Sequence, residues 1–473
     1  MTFRTAPEHA LVSPPVEQRK NVRRAATTIV LILVLGAILR VGVFLISNAD
    51  PLSRQLEPDS RGYLTLAASL RSGTGFGRDG ASKPTQAPVW TPELVRTPGY
   101  PVLITFLDAL TGHGQTATVL FQHLLSIAAT VMATVTCFRF FGPRAAVLAV
   151  AMLAFDLQGI ALSNLILTEV AYGFILLCIA LIVPRLAIEP SWRLAVVTGG
   201  LVGVSALIRP TSIALPTVVG LGLALYGLLK RQRQAIAAAC LVALVGNAIQ
   251  ASWIVRNGLM AGEYTPSSIG RHNLLLHASS AVARAKGIPL NTATEELSKS
   301  LGFTELQIRS RPMSPEESAR VRALTIDTIL MYKRDFLVEY AIRSINTFFR
   351  PDKSILTVLG LEMVSVKNRP PDRPVAANVS PVSATLLGYQ VVWLGLLYLL
   401  ALKTVLLAAR DARSPVIIWT CFALTAYVMA LQSGFPGEPR LRWPTIPLLT
   451  ILAAASSARV SALRDHSAPA HRF

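Results

Sequence analysis

The chain reads as an all-α polytopic membrane protein of about ten transmembrane helices, and three observations predict it. Of its 473 residues, 52% are hydrophobic and 15% charged, with a mean hydropathy of +0.50; soluble domains carry about 25% charged residues. Apolar runs of about twenty residues, the length that crosses a hydrocarbon core, recur along the sequence. Basic residues gather in every second connection, as the positive-inside rule asks of cytoplasmic loops. The net charge of +19 is therefore topogenic, with attraction to anionic membrane lipids a secondary effect. No basic tract is interleaved with aromatics, so nucleic acid is not an expected partner. Cys137, Cys178, Cys240 and Cys421 sit in apolar runs without metal or disulfide spacing and read as packing residues.

The elements follow in order. Residues 1–24, rich in Pro and Arg, read as a disordered cytoplasmic tail. The run at 25–47 is too long for a signal-peptide core and reads as an uncleaved first span. A first outer loop, 48–116, holds the apolar piece Gly99 to Thr111, too short to span and suited to a juxtamembrane helix. Further spans are expected near 117–138, 144–162, 165–184, 194–208, 211–229 and 235–255. Residues 256–382 form a second outer loop, too long to be structureless. From Pro315 onward its apolar spacing predicts one or two amphipathic helices on the outer face. The C-terminal spans lie near 383–408, 414–432 and 443–458, before a tail at 459–473. The predicted inner loops carry Arg139 and Arg144, Arg185 and Arg193, Lys230, Arg231 and Arg233, then Lys403, Arg410 and Arg413. Both termini are therefore expected in the cytoplasm.

The opposite face is the informative one. Glu57, Asp59, Arg61, Arg96, Glu169, Arg209, Arg256, Glu438, Arg440 and Arg442 all fall at outer span ends. A charge near the apolar core costs a few kcal/mol unless paired or wet. Ten of them on one face suggest a shared polar chamber, against the plainer reading of interfacial anchors. Asp59, in Glu57-Pro-Asp-Ser-Arg-Gly-Tyr63, is either a helix N-cap or a general base for an acceptor hydroxyl. Glu57 is its partner or merely solvated. In Arg96-Thr-Pro-Gly-Tyr100-Pro the turn explains the prolines and glycine, whereas Arg96 suits a phosphate. Glu169 fits a helix dipole, Arg209 before Pro210 fits a snorkelling arginine, and His272 a structural histidine. Glu438, Arg440 and Arg442, between prolines, form a candidate anion site. No nucleotide loop, zinc spacing or nucleophile elbow appears.

In this order the motifs resemble the GT-C superfamily of integral-membrane glycosyltransferases, closest to bacterial members related to protein O-mannosyltransferases and the lipid A aminoarabinose transferase. The residues that carry the likeness are Asp59, Tyr63, Gly73, Gly75, Phe76, Arg96 to Pro101, Thr168-Glu169, Arg209-Pro210, Arg256-Asn257 and Arg440 to Pro444. It covers roughly 25–275 well, making 25–255 the GT-C-type module, and the last spans loosely. Many relatives have two adjacent acids where this chain has Asp59-Ser60, and a proline where it has Asp156-Leu157. The resemblance implies a sugar donor carried on a polyprenyl phosphate and transfer, with inversion, to a lipopolysaccharide, cell-wall glycan or protein. Asp59 would be the base, and Arg96, Arg256, Arg440 or Arg442 would hold the leaving phosphate. Glu57, Tyr63, Tyr100, Glu169, Arg209, His272 and Glu438 complete the expected substrate-binding set. No cofactor is expected; a divalent metal is possible and not indicated. The implied location is the bacterial inner membrane, with the site on the periplasmic face. An O-antigen ligase or polymerase is the near rival, and a lipid-linked sugar flippase the rival from another class. A transporter would place its charges near the midplane and show repeats.

Overall fold

The computed structural model describes residues 16–80, 89–361, 380–411, 414–434 and 436–458. Helix α1 (Val16–Asn48) starts within the stretch expected to be a disordered tail, so residues 16–24 are helical. Good helix formers such as Gln, Lys and Arg there extend the apolar span. Residues 1–15 and the expected C-terminal tail 459–473 lie outside the described residues.

After α2 (Pro51–Arg54) and α3 (Pro58–Arg71), a two-stranded hairpin pairs β1 (Gly77–Gly80) with β2 (Val89–Pro92). It is the one departure from an all-α chain among the described residues. Then come α4 (Gly99–Thr111), α5 (Gly114–Phe141), α6 (Pro143–Ala154), α7 (Leu157–Asn164), α8 (Glu169–Ile188), α9 (Trp192–Ile208), α10 (Leu215–Leu229) and α11 (Arg233–Ala261). Six described helices are long and apolar enough to cross a membrane, seven counting α6 and α7 as one span bent by 47°. The ten expected runs all coincide with helices, but α9, α19 (Val416–Gln432) and α20 (Ile446–Ala455) are only 17, 17 and 10 residues long. The last is short because Pro439 and Pro444 turn the preceding seven residues into a 3-10 segment.

The expected one or two helices of the second loop are six: α12 (Ile269–Lys286), α13 (Leu290–Ser300), α14 (Glu305–Ser310), α15 (Pro315–Met331), α16 (Lys333–Phe349) and α17 (Ser354–Leu359). Helix α15 begins as its sequence asks, with Pro315 at an early position behind a Ser314–Glu317 capping box. Helix α12 escapes a periodicity search because it is buried on several sides, with Leu275, Ala278, Ser279 and Ala281 wholly covered. Helix α18 (Pro381–Ala409) returns through the body.

Small residues let the helices close on one another. Ala145, Ala149, Ala453 and Ala454 are buried in the core between α5, α6, α18 and α20. Cys137 and Cys421 are buried there as expected, Cys178 is partly covered, and Cys240 is exposed.

A buried arginine closes the bent span. Arg40 of α1 donates to the carbonyls of Ala154 and Leu153, both at 2.9 Å, and to Gly36 at 3.3 Å. These are the last carbonyls of α6, left without helical partners where the chain bends. Losing the guanidinium would strand two buried carbonyls at about 1–2 kcal/mol each. Arg40→Leu is expected to lower the unfolding midpoint of the detergent-solubilised protein, and Arg40→Lys to recover part of it.

Candidate active site

The loop face gathers charged side chains from four separate elements. Asp59 comes from the first turn of α3, Arg96 from the turn before α4, and Glu169 from the first residue of α8. Glu438 and Arg440 come from the 3-10 segment Pro439–Thr445 and the residue before it. Arg440 is the hub. Its Nη2 meets Asp59 Oδ2 at 2.8 Å, and its Nε meets Glu438 Oε2 at 2.6 Å and Glu169 Oε1 at 3.9 Å. Arg96 Nη2 takes the other Asp59 oxygen at 3.3 Å, and Arg209 Nη1 lies 3.4 Å from Glu169 Oε1. Three arginines and three carboxylates thus form one chain of ion pairs. Glu169 is 3% exposed, Arg440 17%, Asp59 38% and Glu438 44%, so the cluster opens at Asp59 and Glu438.

Asp59 is not the helix cap. Glu57 holds the N-cap position of α3, its N–H donating to Ser60 Oγ at 2.9 Å. That leaves Asp59 free to turn both oxygens to arginines. Glycine makes this possible: a Cβ at Gly62 would lie 2.5 Å from Arg96 Cζ, so the guanidinium crosses α3 where no side chain stands. Arg96 also covers the Tyr63 ring at 5.2 Å, and Tyr63 meets Tyr100 edge-on at 5.1 Å. Tyr100 is buried and donates to Gln122 Oε1 at 2.8 Å; Gln122 in turn donates to the Leu165 carbonyl at 2.8 Å. The Arg96–Pro101 motif is therefore bolted to the connection that leads into Glu169.

The 3-10 segment is fixed from beneath. The Trp443 indole donates to Asp156 Oδ2 at 2.7 Å, at the bend between α6 and α7. Gly159 and Gly173 make room, since a Cβ on either would come within 3.0 Å of Trp443. Asp156, noted above as a departure from the motif pattern, is thus the anchor of the segment that presents Arg440.

The electrostatics follow from these contacts. Burial alone would raise the Asp59 carboxyl, but Arg440, with Arg96 and Arg309 adding to it, holds it below the usual carboxylate range. Burial raises Glu57, opposed by Arg440 and reinforced by Asp352, Glu438 and Asp59. Burial opposes the charge on Arg440 too, yet Glu169, Glu438 and Asp59 more than offset it and keep the guanidinium firmly protonated. Tyr63 is pushed up to about 12 by burial and by the charges of Asp59 and Glu169, so its hydroxyl stays protonated.

Not every expected residue joins. Arg442, expected beside Arg440, points the other way. It is wholly buried and donates to the carbonyls of Thr347 and Arg350, at 3.0 and 2.6 Å, at the end of α16. Arg256 clasps the hairpin, donating to the Phe76 carbonyl at 2.6 Å and the Glu93 carbonyl at 3.2 Å. His272 sits on α12 with its Nε2 2.9 Å from Glu305, held below the usual histidine value by burial despite that partner. Arg309 on α14, which sequence reading missed, adds its positive charge to the field at Asp59. Its signal is absent from the sequence because only the packing of the second loop brings it there.

Two outcomes test this geometry. Gly62→Ala is expected to displace Arg96 and reduce any activity of the site, while Gly222→Ala, with open space at its Cβ, changes nothing; circular dichroism checks that both fold. For Glu57, whose folded pKa lies above its ordinary 4.5, the folded state binds the extra proton, so stability falls as pH rises through that value. Glu57→Gln is expected to raise the unfolding midpoint at pH 7 and to lose that advantage near pH 4.

No family model matches the chain, and no curated protein matches it. Among solved structures, the oligosaccharyltransferase of Archaeoglobus fulgidus tethered to an acceptor peptide with the NVT sequon is similar at 12% identity and a TM-score of 0.49. The match covers 91% of this chain and 49% of that one, so the chain spans about half the length of that protein. ArnT from Cupriavidus metallidurans bound to undecaprenyl phosphate is similar at 15% identity and a TM-score of 0.37, over 90% of this chain and 77% of its own.

Proposed function

We propose that the chain is a membrane glycosyltransferase that moves a sugar from a polyprenyl-phosphate donor to a hydroxyl of an extracytoplasmic glycan, lipid or protein. The observation that carries the reading is the Asp59 carboxylate held between Arg96 and Arg440, at the open end of a charged cluster on the loop face. The motif resemblance supports the same reading. The location that follows is a bacterial inner membrane, with both termini cytoplasmic and the cluster on the periplasmic side.

In this mechanism the acceptor oxygen attacks the anomeric carbon while the bond from that carbon to the phosphate oxygen breaks. The hydroxyl proton passes to Asp59, the electron pair leaves with the polyprenyl phosphate, and the configuration inverts. Arg440 and Arg96 stabilise the charge that develops on the leaving oxygen. The pairing at Asp59 fits this sequence of events. In the free protein the carboxylate is a weak base because both its oxygens face arginines. A phosphodiester competing for the same guanidiniums adds negative charge to three acids already balanced by three arginines. That weakens the hold on Asp59 and raises its proton affinity. The base becomes competent when the donor is bound. Glu169 is placed to keep Arg440 and Arg209 oriented, its second oxygen buried without a hydrogen bond among the described residues.

The test is transfer from labelled polyprenyl-phosphate sugars in purified membranes with matched expression. Asp59→Asn is expected to cost about 10²- to 10⁴-fold in turnover, the usual contribution of a positioned base. Arg440→Ala is expected to cost about 10²- to 10³-fold, as for one lost oxyanion donor. Donor consumption by Asp59→Asn at the wild-type rate would remove Asp59 as the base, and a wild type that transfers from no polyprenyl-phosphate sugar with acceptor present would overturn the glycosyltransferase reading.

A further inference from the structure

From Leu337 onward, helix α16 carries its charges on one side only. Glu339 pairs with Arg343 along the helix at 3.3 Å, and Glu339 and Asp335 both face Arg284 of α12, at 3.3 and 3.7 Å. The other side is apolar and uncovered: Leu337, Ala341, Ile342, Ile345 and Phe349 are exposed, with Leu337 at 62%, Ile345 at 57% and Phe349 at 59%. At 100° per residue these five positions form a single stripe, with no charged residue inside it from Leu337 to Phe349. Lys333 and Arg334 are exposed at the N-terminal end of the helix. A stripe of this length facing water is a liability in a soluble layer. A helix with an apolar face and a basic end is the form that lies in a bilayer interface.

The stripe also continues the surface of the spanning body. Phe349 packs on Tyr398 of α18 with ring centroids 5.4 Å apart, and the Tyr398 hydroxyl donates to the Phe348 carbonyl at 2.9 Å. Further along, the Tyr340 hydroxyl reaches the Ala430 carbonyl near the end of α19 at 3.4 Å. Both partners belong to apolar helices whose own outward faces are uncovered, such as Val391, Val392 and Leu396 of α18. The surface that meets lipid on α18 therefore runs on to α16 without a polar break at Phe349.

We propose that α16 is embedded in the membrane interface, with Leu337 to Phe349 among acyl chains and Lys333 and Arg334 at lipid phosphates of the same leaflet. The second loop is then not a freely solvated cap; one edge of it is a lipid-bearing element. Arg442 ties the C-terminal carbonyls of this helix to the segment that presents Arg440, so the bilayer supports the charged cluster from the side. The assignment goes beyond the transfer reaction and does not depend on it.

The experiment uses the full chain in phosphatidylcholine–phosphatidylglycerol nanodiscs. A single cysteine at Leu337→Cys or Ile345→Cys, in a Cys178→Ala, Cys240→Ala background that keeps the buried Cys137 and Cys421, carries an environment-sensitive NBD label. Lys299→Cys is the comparison, since the Lys299 side chain is 72% exposed. The expected result is blue-shifted emission at 337 and 345 that doxyl-acyl lipids quench and iodide does not, with the reverse at 299. Quenching by iodide at 337 and 345 would place the stripe in water and overturn the proposal. Resistance to both quenchers would overturn it equally, because another part of the chain or a second copy would then cover the face. The readout needs no substrate, so it stands or falls separately from glycosyl transfer.

Discussion

Arg440 is caught between three carboxylates that share no element: Asp59 from the first loop, Glu169 from the head of a spanning helix, and Glu438 from its own turn. One largely covered cation therefore measures the relative positions of α3, α8 and the last turn at once. Moving any of them takes a counter-charge from the cluster, at greatest cost where Glu169, 3% exposed, has least access to water. Much of the remaining architecture can be understood as keeping that geometry: the Trp443–Asp156 bond beneath, the glycines that admit Trp443, and the Tyr100–Gln122–Leu165 relay beside it.

The same arrangement accounts for the bend between α6 and α7. A straight span would carry no free backbone or side chain at that depth. By breaking at Phe155 and Asp156, the chain frees a carboxylate to seat Trp443 and exposes carbonyls that Arg40 then satisfies. Two polar interruptions of an apolar span are thus each matched by a partner from elsewhere, as low-dielectric surroundings demand.

Most of the spanning helices were legible, because apolar length is a one-dimensional signal. So were Asp59, Arg96, Glu169, Arg209 and Arg440, since charges at span ends stand out against an oily background. Two kinds of residue were not legible. Arg256 and Arg442 carry the same local signature as Arg96 and Arg440, yet one clasps the hairpin and the other a helix end. Sequence places a charge at a level in the bilayer but does not say which way it points. Arg40 and Arg309 were missed, and Asp156 was noticed without its role, for the opposite reason: nothing around them in sequence foretells partners on distant elements. The helices of the second loop were only partly visible, since α13 and α14 are short and α12 is covered on several sides, which erases a periodic pattern.

Arg40 has a consequence for how the chain is made. The first span enters the bilayer with a permanent charge near its middle, and the carbonyls that receive it lie 113 and 114 residues later. At about 5–20 residues per second, synthesis leaves that guanidinium unmatched for about 6 to 23 s. Insertion itself is not threatened, because the long apolar run around Arg40 offsets the cost of about 3 kcal/mol for one central arginine. The waiting charge gives α1 a reason to stay near the insertion site until α6 emerges. The N-terminal helix is in that sense held open for its successor, and its docking marks the moment at which the bent span can close.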